Sequence, residues 1–311
     1  MSSQNNLLKQ NAFHYWLIDS YKEITKTSSF KKYFKYTLRY AQHWSVNSQW
    51  AQYIDSTPQH QRWKDYYGCG ILLKLQYPYL SQHLNKKQQF NTLIQHYDWF
   101  FTHIQEQYYY NDIVLFSETF VDSSENFHLV QIVLKFKSSF QFEGAMNLHM
   151  KVNGQIQYTL TFIYLLDEQQ PRFFIGGLQA GKQDVTDLEG LKRLTKTMYG
   201  LRPKQFILHS LSILAHQFNI QKILAVSNQN HIFNQPKKRW AENQIKASLD
   251  DFWKEFDAEQ IADGNYIFTP LSTTINLDEI VSKKRSQYRK RQVILTNLEE
   301  QITRSINHIK Q

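Results

Sequence analysis

Residues 199–231, YGLRPKQFILHSLSILAHQFNIQKILAVSNQNH, decide how this chain is read. Pro203 suits a first helical turn, and Phe206, Ile207, Leu211, Leu214, Ala215 and Phe218 then recur at helical spacing. The spacing predicts a helix over residues 203–219. Ile223, Leu224, Ala225 and Val226 follow as a short apolar run, predicting a strand over residues 222–226. The run stops at Ser227-Asn228-Gln229-Asn230-His231, a polar exit. Strand ends beside helix N-termini are where α/β sheets meet their ligands. The stretch therefore predicts a site without naming a reaction.

Upstream of it the hydrophobic period is two. Residues 113–121, 127–136, 142–152, 155–166 and 172–178 read as consecutive strands; Val130, Ile132, Leu134 and Phe136 alternate with other residues, as do Phe162, Tyr164 and Leu166. Asn153-Gly154 is a two-residue hairpin signal, and Gln170-Pro171 marks the next expected turn. A helix over residues 185–197 leads into the quoted stretch. Downstream come a basic loop at Pro236-Lys237-Lys238-Arg239-Trp240, a helix near residues 249–256 and a strand at 266–269. A long helix over 277–308 follows, with Ile294, Leu298, Ile302 and Ile306 four apart.

Residues 1–110 read as helical, with stripes at Phe13, Trp16, Leu17, Tyr21 and Ile24, at Phe30, Tyr33, Phe34 and Leu38, and from Phe90 to Ile104. Pro58 and the Gly68/Gly70 pair punctuate them. The expected class is α+β: a helical subdomain over 1–110, then a mostly antiparallel sheet with flanking helices over 111–311, ending in a long basic helix.

With 311 residues, 41% of them hydrophobic and 20% charged, the chain is a folded rather than a disordered one. Its 21 Phe and 19 Tyr predict large rings buried in a sheet-rich core. One cysteine, Cys69, excludes an internal disulfide, and nothing near it marks a catalytic thiol. The start lacks a basic leader with an apolar run, and no window offers a membrane-spanning length. The expected location is cytoplasmic, with peripheral contact at the inner membrane allowed by charge. The net charge of +9 sits at the two ends: residues 1–110 hold twelve basic against six acidic residues, and 201–311 hold sixteen against eleven. Such a balance suits anionic ligands.

Candidate chemistry gathers at few places. Arg202 and Lys204 stand at a helix start, where the dipole is already positive, a conflict that an anion resolves. Gly176, Gly177 and Gly181 offer either backbone close to a phosphate or a β-bulge. His231, beside Asn228 at the strand exit, is the candidate general base. Lys283, Lys284, Arg285, Arg289, Lys290 and Arg291 place six cations in nine residues, with Tyr288 among them. They fit nucleic-acid phosphates, an anionic lipid surface, or arginines reaching back to a donor site. Neither HxxxH nor CxxC spacing occurs, so no metal site is expected.

The runs RFFIGGLQAG, LRPKQFILHSLSILAHQF, KILAVSN and DDFWKEFDAEQIADGNYIF, in this order, resemble the GNAT acyltransferase architecture. That resemblance implies acyl-coenzyme A held by Gly176, Gly177, Gly181, Arg202 and Lys204, with Asn228 and His231 toward the acceptor. Pro203, which lacks an N–H, stands where the pattern expects glycine-rich backbone. FIGGLQAG, MYGLRPKQFIL, ILAVSNQNHIF, DDFWKEF and SKKRSQYRKRQ resemble the bacterial VirK/YbjX family over residues 36–298. This second resemblance implies a cytosolic protein linked to virulence or envelope stress, and no particular reaction.

Overall fold

The structure, a computed structural model, describes residues 30–68, 70–181, 188–234 and 248–311. The stripe from Phe13 to Ile24, Cys69 and the loop 236–240 lie outside the described residues. Among the described residues, five α-helices precede the sheet: α1 (Phe30–Gln42), α2 (Trp44–Ile54), α3 (Pro58–Tyr67), α4 (Gly70–Leu73) and α5 (Lys86–His103). Pro58 opens α3 rather than breaking it: it takes the first helical position after the Thr57 cap, whose side chain accepts from the His60 N–H. Asn85 and Gln88 form a reciprocal capping box that starts α5.

Five antiparallel strands follow: β1 (Ile113–Val121), β2 (Phe127–Lys135), β3 (Met146–Val152), β4 (Gln155–Asp167) and β5 (Gln170–Ala180). Asn153 and Gly154 have φ of 51° and 79°, as a type I′ hairpin requires. The β4–β5 turn is Glu168-Gln169, with φ of 47° and 63°, not Gln170-Pro171. A turn needing two positive φ angles excludes proline, so Pro171 falls just inside the strand. β3 also starts later than its apolar run, because residues 138–144 fold back; Ser138 N–H donates to Ala145 O at 3.1 Å.

Helices α6 (Leu188–Thr197) and α7 (Pro203–Gln217) cross to β6 (Lys222–Ala225). Then come α8 (Leu249–Lys254), β7 (Glu259–Gln260), β8 (Tyr266–Phe268) and α9 (Ser282–Ile309). The predicted long helix is divided: Leu277–Glu279 form a 3-10 turn and Ile280 is extended before α9 begins. The eight strands make one sheet in the order β1-β2-β3-β4-β5-β6-β8-β7. Only β5 and β6 pair in parallel among the described strands, and the α6–α7 crossover makes that possible. Helix α7 lies over β3 and β4, α9 over α7 and β1, and α5 against β4. One continuous core results, from Trp50, Trp63 and Phe100 in the helical layer through Phe162 and Leu148 to Phe206 and Leu298.

Candidate functional site

The parallel pair is where the sheet opens. β5 and β6 run in register from Arg172/Lys222 to Ile175/Ala225, and Val226 N–H still donates to Ile175 O at 2.9 Å. Beyond that the strands part. β5 continues to Ala180, while Ser227 N–H turns to Asn265 Oδ1 at 3.3 Å. The fork so formed coincides with a bulge: Thr161 pairs with Gly177 and Phe162 with Ile175, which leaves Gly176 as the extra residue.

The glycines are there to admit the chain's own loop. A Cβ on Gly176 would lie 1.8 Å from the Glu143 carbonyl oxygen, and one on Gly177 would lie 2.1 Å from Glu143 Oε2. Glu143 is fully buried. Gln179 Nε2 donates to its Oε1 at 2.8 Å, and His231 Nε2 stands 3.4 Å from the same oxygen. Oε2 has no hydrogen-bond partner among the described residues. Sheet register continues this polar row: Gln179 pairs with Thr159, and Thr159 with His149, whose Nδ1 is 2.9 Å from Thr159 Oγ1. Burial, then the charges of Lys151 and Lys135, depress the His149 pKa to about 4, so its ring is neutral near pH 7.

Residues 79–82 strap the fork shut. Leu80 N–H donates to Phe142 O at 2.7 Å and Gln82 N–H to Asn230 O at 3.0 Å, so the strap spans both lips. Ser81 N–H bonds back to Tyr79 O at 2.7 Å around Leu80, whose φ is +66°. This is the strained form of γ-turn, and it is held by a leucine only 1% exposed. Behind the strap, fully buried Lys74 donates to Gln141 O at 2.9 Å and Gly144 O at 3.3 Å. It also faces the Tyr79 ring at 5.0 Å. Burial lowers its pKa to about 7.

The residues expected from the sequence fall into three groups. His231 reaches the polar row, but Phe233 N–H donates to its Nδ1 at 3.3 Å, so both ring nitrogens face protein groups. Asn228 does not join it. Its Oδ1 accepts from Leu249 N–H at 2.9 Å and its Nδ2 donates to Ser248 Oγ at 3.3 Å, fastening the start of α8. Gly181 is a close-approach residue, where a Cβ would meet Ile156 O at 2.1 Å.

At the start of α7, Arg202 is paired with Glu255. The Lys204 ammonium lies 5.7 Å from the Phe252 ring centroid, and partial burial followed by Arg202 lowers its pKa. In α9, Lys283, Lys284 and Arg289 are exposed without ion-pair partners among the described residues. Arg285 Nε donates to Ile280 O at 2.9 Å, and Arg291 stacks 4.3 Å above Tyr288. Arg291 and Gln287 donate to Tyr199 O at 2.8 and 2.9 Å, joining the basic helix to the basic turn before α7.

Sequence reading missed Glu143, Gln179, His149 and Thr159. Their signal was weak: Asn147, His149, Thr159 and Thr161 alternate as an exposed strand face does. In the fold, Ser139 and Phe140 of the 138–144 fold-back come to lie beside His149 and Thr159.

The profile described as "Protein of unknown function (DUF535)" matches residues 25–304. The chain belongs to this DUF535 family. Among similar proteins, "Uncharacterized protein YbjX" of Escherichia coli K12 is 26% identical over 241 residues, covering 74% of this chain and 70% of that protein. Two Haemophilus influenzae Rd proteins are 30% and 27% identical over 155 and 159 residues, covering 50% of this chain in each case. Those matches span about half the length of each Haemophilus protein. The VirK/YbjX resemblance is thus shown as a family membership. No solved structure matches.

Proposed function

We propose that this DUF535 chain is an acyltransferase-like enzyme that takes a phosphorylated acyl donor of the acyl-coenzyme A class at the β5/β6 fork. The observation that carries this reading is the sheet order, with one parallel pair that parts beside a glycine bulge and a helix crossover. Where two strands separate, their backbone amides lose strand partners, and an amide-bearing ligand arm can pair with them instead. Glu143 fills the bulge itself, so a thioester carbonyl would sit beside it in the fork, where backbone N–H groups turned toward it would stabilise the oxyanion of acyl transfer. Glu143 Oε2 is the proton acceptor in this reading; Gln179 holds its other oxygen, with His231 Nε2 3.4 Å from it and not hydrogen-bonded. Lys204, and Arg202 once released from Glu255, would face donor phosphates. The strap at residues 79–82 must swing out first.

Calorimetry with acetyl- and longer acyl-coenzyme A tests this. Saturable binding that weakens in Lys204→Gln and with added salt is expected. The absence of saturable binding to any acyl-coenzyme A sinks the reading.

A second reading rests on α9. From Ser282 to Val293 no residue is buried, six are cations and none is acidic, and Lys283, Lys284 and Arg285 stand in the first turn, at the positive end of the helix dipole. That charge calls for a phosphate-bearing partner. The stretch has no apolar face, which favours a nucleic-acid strand over insertion into a bilayer. Salt-dependent binding to single-stranded DNA, stronger than to anionic vesicles, is the expected result; equal indifference to both overturns it.

A further inference from the structure

A cavity of about 390 Å³ opens on the polar face of the sheet, beyond the row that ends at Glu143. Ser139, Phe140, His149, Ile156, Thr159 and Gly181 line it, between the β3–β4 hairpin tip and the end of β5. Its size is that of a small-molecule site, and its composition is unusual for so basic a protein. Among the described residues, no lysine, arginine or carboxylate contributes to the lining. The described walls are one aromatic ring, two aliphatic side chains (Ile156 and Ala180), two hydroxyls, one imidazole, the Gln155 carboxamide and glycine backbone.

His149 is the informative residue. It is 3% exposed and its Nδ1 is committed to Thr159, yet Nε2 has no hydrogen-bond partner among the described residues. A ring nitrogen that no described protein group engages, on a side chain lining a cavity, is free to bond a ligand group there. The neutral imidazole offers a hydrogen bond without charge, as do Ser139 and Thr159. Phe140 provides a flat apolar face. Lys151 and Lys135 act on the His149 ring from outside the described lining, so an ionic ligand would lose its hydration without a direct ion pair to a described lining residue.

We infer that this cavity binds an uncharged, hydroxyl-bearing ring of the sugar class, its C–H face against Phe140 and a hydroxyl on His149 Nε2. The inference deepens the proposed acyl transfer and rests on it for one point only: the bound hydroxyl compound is the acyl acceptor. Gln179 belongs both to the Glu143 contact and to the strand pair that carries Thr159, so cavity and fork share one polar row.

Saturation-transfer NMR on the full chain tests it, with methyl glucoside and methyl galactoside as uncharged pyranosides, glucosamine as the cationic comparator and hexanol as the aliphatic one. Transfer to the uncharged pyranosides is expected, and weaker transfer to glucosamine. Thr159→Val, which keeps shape and removes the hydroxyl that orients His149, should weaken pyranoside binding about tenfold. Ile156 is 38% exposed, so Ile156→Trp should fold and fill the mouth, abolishing transfer. Transfer to hexanol alone, to no pyranoside, or to pyranosides with Ile156→Trp unchanged overturns the inference. Pyranoside binding in a protein that ignores acyl-coenzyme A supports the sugar site and overturns only the enzyme reading.

Discussion

Gly176 and Gly177 are adjacent, yet the structure gives them different tolerances. A methyl on Gly176 meets backbone, the Glu143 carbonyl, whereas one on Gly177 meets the movable end of the Glu143 side chain. Gly176→Ala should therefore cost more than about 4 kcal/mol, among the largest single-site effects. Gly177→Ala should cost less, and adding Glu143→Ala should relieve the Gly177→Ala clash while leaving Gly176→Ala as severe as before. Urea unfolding of the single and double variants checks this; equal rescue of both glycine variants would show that the loop backbone yields. The glycine pair was visible in the sequence as a motif, but its reason was not. The carboxylate it accommodates comes from a distant loop, and residue spacing carries no trace of that approach. His231 was legible as a polar residue at a strand exit, and its partner was not, for the same cause.

At the scale of the element, α9 separates into two halves with different work. Its later part buries Ile294, Leu298, Ile302 and Ile306 at the spacing seen in the sequence, so that half was readable from periodicity alone. The first three turns carry charge without periodicity, and only the fold shows that Arg291 is occupied with Tyr199 O. Changing Lys283, Lys284, Arg289 and Lys290 together to Gln should leave stability within about 0.5 kcal/mol, as for solvated surface sites. Arg291→Gln should cost about 1–3 kcal/mol, because the Tyr199 carbonyl loses its charged donor at a turn whose residues 199 and 200 both have positive φ. Thermal unfolding of the two variants should separate them. A four-cation variant that melts like Arg291→Gln would mean that the surface charges also hold the fold. The strand spans were legible for a similar reason to the later half of α9: alternation and Asn153-Gly154 chemistry are local. The β4–β5 turn was misplaced because Pro171 is a turn residue by composition but cannot supply the positive φ required there.

At the scale of the whole molecule, three histidines among the described residues are held neutral by the shared core. Burial depresses His96 to about 3, with Lys74 adding to it, and His149 to about 4. It also depresses His209 to about 4, helped by Arg291. Each has a folded pKa below the ordinary value of about 6.5, so the unfolded chain takes up these protons first. Their contribution is complete above about pH 6.5 and is lost as pH falls toward 4. Lys74, lowered from 10.5 to about 7, follows the same sign in a different window: its contribution declines from pH 10.5 down to 7 and is flat below. Between pH 6.5 and 4.5 the slope should therefore belong to the histidines, ahead of most carboxylates, and approach ~4 kcal/mol per pH unit with all three titrating. Unfolding free energies at pH 6.5, 5.5 and 4.5 measure it. His149→Phe should remove about one proton from that slope and keep the ring volume. An unchanged slope would place the proton uptake elsewhere and remove the case for a neutral imidazole in the cavity wall.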